Sequence, residues 1–309
     1  MPSSPAVPAS AWPPLPWPAW QATHEAIHLW TQVLGKLQLA GTPWTNHSWH
    51  VAFQPTARGL ATALVPCEGR TWQATFDFLD HALVLEDSAG GRARVPLRPQ
   101  SVAQFYEAVR QALHGLGIPC AIRTQPSEIA DALPFQHDEA VRPYDADAAQ
   151  RWWRVLLQAH RVLRIFRARY AGKCSPVHFF WGAADLAVTR FSGRTAPPHP
   201  GGAPHLADWV MREAYSHEVS SCGFWAGAGL GEPAFYSYAY PEPEGFAQWP
   251  VQPEGAYYSK ALREFILPYE VVRKAGDAVA VLLAFLQSTY EAAAVKGRWD
   301  RAAVEVVLP

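Results

Sequence analysis

The sequence predicts an α+β protein built from antiparallel sheets with flanking helices. Two observations support this: clusters of short segments alternate apolar and polar residues, which is typical of half-buried strands, and longer segments around them repeat apolar residues at helical spacing. The chain has 309 residues, 49% hydrophobic and 17% charged, so it can bury a full core. Its net charge of −1 argues against nucleic acid or an anionic membrane as a partner.

In the first half, a cluster of strands lies between two predicted helices. Apolar residues at helical spacing predict a helix over residues 20–39, and alternation predicts short strands over residues 47–97. A hairpin turn is expected at 89–91, which reads Ala-Gly-Gly. A serine cap and a glycine stop bound a second helix over residues 101–115.

The second half repeats this order. Helices are predicted over residues 147–171, 206–217, 259–274 and 277–297, and strands over 177–181, 186–191, 219–225 and 234–240. The nearly uncharged stretch from Ala278 to Leu286 is too short to span a bilayer.

These patterns divide the chain into a Pro-rich arm over residues 1–18, an α+β half over 19–123, a linker over 124–146 and an α+β half over 147–309. The long helix of each half ends in Gly-Lys and is followed by a segment rich in His and aromatic residues. We therefore predict an internal duplication with a pseudo-two-fold, which would make the cleft between the halves a natural ligand site. The alternative is that two unrelated α+β units share a coarse pattern.

Four cysteines at spacings of about 50 residues form neither a disulfide framework nor a zinc motif. The first residues lack the basic and apolar regions of a secretory signal. We expect reduced thiols and a soluble cytoplasmic protein. A homo-oligomer is compatible with the sequence.

One short motif matches the pattern of a zinc-binding site. His24, Glu25 and His28 match the HExxH pattern, in which two histidines one helical turn apart bind zinc and the glutamate is a general base. The motif lies close to the start of the chain, and no third ligand is evident. A helix with two partly buried histidines is the simpler interpretation.

Four residues of the second half are predicted to be catalytic. His178 lies in a predicted strand, His199 in a loop of prolines and glycines, and His217 and Glu218 where a helix meets a strand. Rigid loops and element ends commonly present site residues, and imidazole suits acid–base catalysis or metal ligation. The alternatives are a packing loop around His199 and a helix-dipole interaction of His217.

Aromatic and basic residues suggest a ligand site. Tyr236, Tyr238 and Tyr240 share one face of a strand, which suits the wall of a semi-polar pocket or a half-exposed sheet face. Arg190 shares a face with Leu186 and Val188, so if buried it needs a carboxylate or an anionic ligand. The residues predicted to bind a ligand are Arg190, Trp181, Tyr236, Tyr238, Tyr240, His47 and Arg58.

Several blocks of the chain resemble a bacterial family known only as a domain of unknown function. The resemblance spans about residues 12–300. It rests on residues 29–36, 46–47, 56–60, 76–81, 172–181, 186–202, 216–221 and 235–245, among them the blocks GKCSPVHFFW and FYSYAYPEPEG. It implies a soluble bacterial protein and brings no activity or cofactor. In this family pattern the position of His28 is included and those of His24 and Glu25 are not.

The residues favour an enzyme that acts on a small polar or anionic molecule in a cleft lined by His, Tyr and Trp, with zinc or iron as candidate cofactors. A non-catalytic binding or sensing module would use the same cleft. The zinc peptidase on His24, Glu25 and His28 is the third hypothesis.

Overall fold

Two six-stranded antiparallel sheets form the framework of residues 11–306, the part of the chain that the computed structural model describes. This confirms the predicted α+β class. The first ten residues of the predicted Pro-rich arm lie outside the described residues. The rest of the arm packs on the second sheet, where the Tyr269 hydroxyl donates to the Pro13 carbonyl at 2.8 Å and Trp12 is buried against Phe235.

The first half begins with a long central helix. Its elements are α1 (Trp17–Gly41), a 3-10 segment (Asn46–Val51), β1 (Gln54–Pro55), β2 (Gly59–Ala61), β3 (Val65–Cys67), β4 (Arg70–Asp77), β5 (Ala82–Asp87), β6 (Arg92–Pro96) and α2 (Val102–Gly115). The sheet order is β1-β2-β4-β5-β6, and β3 also pairs with β4. The predicted Ser101 cap of α2 is confirmed, because its side chain accepts from the Gln104 amide.

The second half adds the sheet that matters for the site. A short 3-10 turn (Phe135–His137) precedes it in the linker. The elements of the second half are α3 (Ala146–Ala168), β7 (His178–Phe180), β8 (Asp185–Thr195), α4 (Asp208–Ala214), β9 (His217–Trp225), β10 (Ala234–Tyr240), β11 (Tyr257–Ser259), β12 (Glu264–Pro268), α5 (Tyr269–Lys274), α6 (Ala278–Lys296) and α7 (Arg301–Val304). The sheet order is β11-β12-β10-β9-β8-β7.

The two faces of the second sheet have different surroundings. Helices α3 and α6 cover one face and contact β8, β9 and β10. The opposite face looks toward the 3-10 segment of the first half. The sheets meet where Phe53 and Phe179 exchange two backbone hydrogen bonds, at 2.7 and 2.8 Å. One hydrophobic core runs through both halves, and the predicted duplication stays a prediction.

Two predicted elements are wrong. Residues 46–51 form a 3-10 segment, and not a strand, because His47 and Ser48 both adopt left-handed backbone angles with φ of 59° and 58°. Residues 259–274 do not form one helix, because Glu264–Pro268 pairs with β10 as β12. Pairing with a distant strand overrides local helical preference here.

Helix α6 is long and apolar enough to cross a membrane by length and composition, and no other helix in residues 11–306 is. It has 19 residues and continues to Lys296, well beyond the uncharged stretch from Ala278 to Leu286, which by itself is too short to span a bilayer. Half of its apolar window is buried inside the protein, and it packs against α3, β9 and β10. A helix that is hydrophobic all round is expected in such a central position.

Candidate functional site

A cavity of about 450 Å³ lies between the second sheet and the first half of the chain. Its floor is the sheet face opposite α3 and α6. Its roof consists of residues 44–51, the loop at 127–128 and the segment 206–215, which includes α4. The lining as a whole is mainly aromatic and includes Trp44, Trp49, Phe180, Trp181, Phe191, Trp209, Tyr215, Trp225, Tyr236 and Tyr238.

The alternation of side chains along the strands determines which residues form the floor of the cavity. Along β8, Asp185, Ala187, Thr189 and Phe191 line the cavity, and the residues between them enter the core on the helical side. Neighbouring strands add Ser221, Tyr236 and Glu264, among others. The middle of the floor is formed by small side chains, which leaves the space above it open.

The roof is held by polar contacts between the halves. The His47 amide donates to Glu213 Oε2 at 2.7 Å, and His47 Nδ1 lies 3.0 Å from the Ala214 carbonyl. The left-handed conformation of His47 directs these groups toward α4. At the mouth, the exposed Trp44 and Trp209 rings pack with centroids 4.7 Å apart.

Asp185 and Tyr236 form a hydrogen-bonded pair in the floor. The Tyr236 hydroxyl donates to Asp185 Oδ2 across β9. The Tyr236 side chain passes over Gly223, which has no side chain to block it. Gly223 is the β9 partner of both Ala187 and Tyr236. A Cβ at Gly223 would lie 2.6 Å from Tyr236 Oη and 2.1 Å from the Leu186 carbonyl oxygen. Glycine is therefore required for this pair to form.

Two further carboxyl groups face the cavity near this pair. Burial raises the pKa of Asp185 to about 6, against the opposing effect of the Tyr236 hydrogen bond. Burial, reinforced by repulsion from Asp185, raises the pKa of Glu264 to about 7. Repulsion from Asp185 also raises the pKa of Glu128, which lies at an exposed loop position. Asp185 therefore lies close enough to both glutamates for its negative charge to disfavour their ionisation.

The Trp181 indole closes the side of the cavity next to α1. Its Nε1 donates to the Val51 carbonyl at 2.9 Å. It packs directly on Gly35, where a Cβ would fall 2.2 Å from the ring. Lys36 lies over the same ring at 5.7 Å and donates to Ser127 Oγ at 2.6 Å. Burial lowers the pKa of Lys36 to about 8.

The predicted ligand-binding residues divide into two groups. Trp181, Tyr236, Tyr238 and His47 line the cavity. The other three lie elsewhere. Tyr240 donates to the Pro197 carbonyl, and Arg58 pairs with Asp77 and Asp80 at the edge of the first sheet.

Arg190 lies on the helical side of the sheet and not in the cavity. Its guanidinium stacks on the rings of Phe166, Tyr170 and Tyr290 and donates to the Phe166 carbonyl. It is 1% exposed. The sequence predicted a carboxylate or an anionic ligand as the partner of a buried Arg190. Among the described residues its surroundings are instead aromatic rings and a backbone carbonyl, because alternation along β8 turns this side chain away from the cavity.

The four predicted catalytic residues are not brought together. His178 is buried against Phe180, and burial lowers its pKa to about 4. His199 stacks on Tyr215, outside the cavity lining. Glu218 points to the other face of β9 and pairs with Arg194 at 2.6 Å. His217 lies beside His47 at the cavity rim, with ring centroids 6.1 Å apart.

The first histidine of the HExxH motif lies inside the aromatic core. The His24 ring packs on Trp17, Trp20 and Trp152, and burial lowers its pKa to about 3. Glu25 is exposed and accepts from Gln21. Within residues 11–306, no three His, Cys, Asp or Glu side chains are placed to hold one metal ion. The peptidase hypothesis therefore has no ligand set in this part of the chain.

Sequence reasoning missed the three cavity carboxyls. Alternation along β8 already placed Asp185 opposite Arg190, and a carboxylate in an apolar strand was a usable signal. Glu264 precedes the apolar run of residues 265–267. This run is identified as a strand only by its pairing with β10, which the sequence does not show. Glu128 stands in a loop with no periodic signal.

The fold and cavity define an α+β protein with an aromatic and acidic pocket. A family model described as a family of unknown function (DUF5996) matches residues 12–306, so the chain belongs to that family. No curated protein and no solved structure matches the chain.

Proposed function

We propose that the protein binds a small molecule in the cavity between its two halves. The observation that carries this proposal is the cavity itself. Its volume of about 450 Å³ falls within the range of ligand pockets, roughly 300–1,000 Å³. An aromatic wall with a few convergent polar groups is the usual composition of such a site.

The ligand expected here has an apolar or aromatic body and at least one polar group. The aromatic side chains supply contact area, and Asp185, Glu128 and Glu264 supply hydrogen-bond acceptors when ionised. An anionic ligand finds less support, because Arg190 lies on the other side of the sheet. Binding is better supported than histidine-based catalysis, because three of the four predicted catalytic residues lie away from the cavity and His217 only approaches its rim.

A second candidate function is acid–base catalysis on the bound molecule. It is favoured by Asp185 and Glu264, whose pKa values of about 6 and about 7 lie close to neutral pH. A group with such a pKa is well matched to accept and donate protons. Chemical conversion of a bound molecule, followed by mass spectrometry and abolished in Asp185→Asn, would distinguish this function from binding alone.

The binding proposal is tested by a thermal-shift screen of common metabolites, followed by a cavity-filling variant. A ligand at one hundred times its Kd stabilises a protein by about 2.7 kcal/mol. Ala187→Leu places extra volume inside the cavity, and Ala302→Leu places the same volume on an exposed position of α7. Hits should lose at least about tenfold in affinity with Ala187→Leu and none with Ala302→Leu. Equal affinity for both variants, or no hit at all, would overturn the proposal.

A further inference from the structure

The charge of the ligand can be inferred from the groups that face the cavity. Asp185, Glu128 and Glu264 have no Lys, Arg or His partner within 4 Å among the residues that the structure describes. Lys36 acts on Glu128 electrostatically, but its ammonium group is bound to Ser127 Oγ. The part of the cavity around Asp185 therefore collects acidic groups without an ion-pair partner.

One oxygen in this group lacks any partner. Glu264 Oε2 is inaccessible to solvent and accepts no hydrogen bond. A buried acceptor without a donor destabilises the folded state, more so when it is charged. Because the residue lines the ligand cavity, a rotation of its carboxyl group would let a ligand supply the missing donor.

The aromatic rings beside these carboxyls favour the same type of ligand. Tyr236 and Tyr238 stand in the floor, and Trp181 and Trp225 in the walls. The faces of such rings attract cations, and the attraction grows when the cation is desolvated. Carboxylates and aromatic faces together stabilise a positive charge that also carries apolar groups.

A bare metal ion does not fit this arrangement. The three carboxyl groups do not form a set that could hold one ion. Asp185 and Phe191 lie six residues apart along the floor, which is about 20 Å of strand. The space is therefore long, with acidic groups at the Asp185 end.

We propose, on the basis of the proposed function, that the ligand is an elongated organic cation. Its ammonium or guanidinium group lies among Asp185, Glu128 and Glu264, and its apolar body extends along β8 toward Phe191. In this arrangement Glu264 recognises the positive charge of the ligand.

Three probes of similar shape test the sign of the charge. Tryptamine is a cation, tryptophol is neutral and indole-3-acetate is an anion at pH 8. We expect tryptamine to bind at least about tenfold more tightly than tryptophol, since hydrogen bonds to charged groups are the stronger ones. Indole-3-acetate should bind most weakly, and Glu264→Gln should remove the preference for tryptamine.

A second measurement does not depend on the choice of probe. If the carboxyls serve a ligand and not the fold, neutralising Glu264 should stabilise the protein without ligand. Glu264→Gln should raise the thermal midpoint at pH 8 by about 2–4 °C, while Glu254→Gln, at an exposed position, should leave it unchanged. A lower midpoint for Glu264→Gln would assign this carboxyl to the fold and overturn the inference.

The outcomes separate the two proposals. If tryptophol or indole-3-acetate binds as tightly as tryptamine and Ala187→Leu weakens that binding, the cavity binds ligands but the cation inference is wrong. If no probe binds, the cation inference is overturned, and the metabolite screen decides the binding proposal separately.

Discussion

The hydrogen bond between Tyr236 and Asp185 allows a pH-resolved test of the site. Tyr236→Phe removes the hydroxyl that donates to Asp185 Oδ2 and leaves the ring in place. At pH 8 Asp185 is ionised, because its pKa is about 6, and the lost bond is charge-assisted, worth about 1.5–3 kcal/mol. At pH 5 the carboxyl is protonated, and a neutral hydrogen bond contributes about 0.5–1.5 kcal/mol.

The direction of the pH dependence follows from linkage. The folded-state pKa of Asp185 is raised from 3.8 to about 6, so the folded protein loses stability as the pH rises through this window. Tyr236→Phe removes a group that lowers this pKa, so the window extends upward. The deficit of the variant should therefore grow between pH 5 and pH 8, from about 1 to about 2–3 kcal/mol.

The assay is urea unfolding followed by circular dichroism at both pH values. Tyr238→Phe is the matched control, because the Tyr238 hydroxyl bonds to the neutral hydroxyl of Tyr215 at 2.8 Å. Its cost should be about 1 kcal/mol at both pH values. A double-mutant cycle of Tyr236→Phe with Asp185→Asn should give a coupling energy of about 1–2 kcal/mol at pH 8. Equal costs of Tyr236→Phe at both pH values would refute the reasoning.

Two further predictions concern residues beside the site and in the core. Burial lowers the folded-state pKa of His24 from 6.5 to about 3, so stability is complete above pH 6.5 and is lost as the pH falls toward 3. His24→Phe should reduce this acid loss by about 3 kcal/mol between pH 6.5 and pH 4, measured as thermal midpoints across that range. Gly223→Ala should destabilise the protein by about 1–3 kcal/mol, because the new Cβ meets the Leu186 carbonyl oxygen. It should also weaken ligand binding in the thermal-shift assay, and unchanged binding would contradict the role of Gly223 in placing Tyr236.

The parts of the fold that local patterns control were predictable from the sequence. The Ser101 cap marks the start of α2, and the Ala89-Gly90-Gly91 turn connects β5 to β6. Alternation along β8 separates Asp185 from Arg190 onto opposite faces. These features depend on neighbours in the chain, so the sequence displays them directly.

The missed features depend on contacts between distant residues. Arg190 is a charged residue in an apolar strand, but its aromatic partners come from α3, α6 and the residues after α3. Glu264 lies in a strand only because Phe235 and Tyr236 of β10 pair with Leu267 and Ile266. Which side of the sheet holds the cavity is decided by how α3 and α6 pack. No periodicity in a single sequence carries that information.

Side-chain size on the two faces of the second sheet explains why a cavity exists there. On the helical side, Leu186, Val188, Phe224 and Phe235 fill the space against α3 and α6. On the cavity side, the middle of the floor is made of Ala187, Thr189, Ser221 and Gly223.

Larger apolar residues at Ala187, Thr189 or Ser221 would fill the space above the floor and add packing energy, since each unfilled volume forgoes it. The small residues and the carboxyls around them therefore both act against stability in the free protein. Features that reduce stability in this way concentrate where a protein binds its ligand. In the first sheet, large buried side chains such as Phe76, Leu83 and Leu85 fill one face. The floor of small residues therefore supports placing the ligand site on the second sheet.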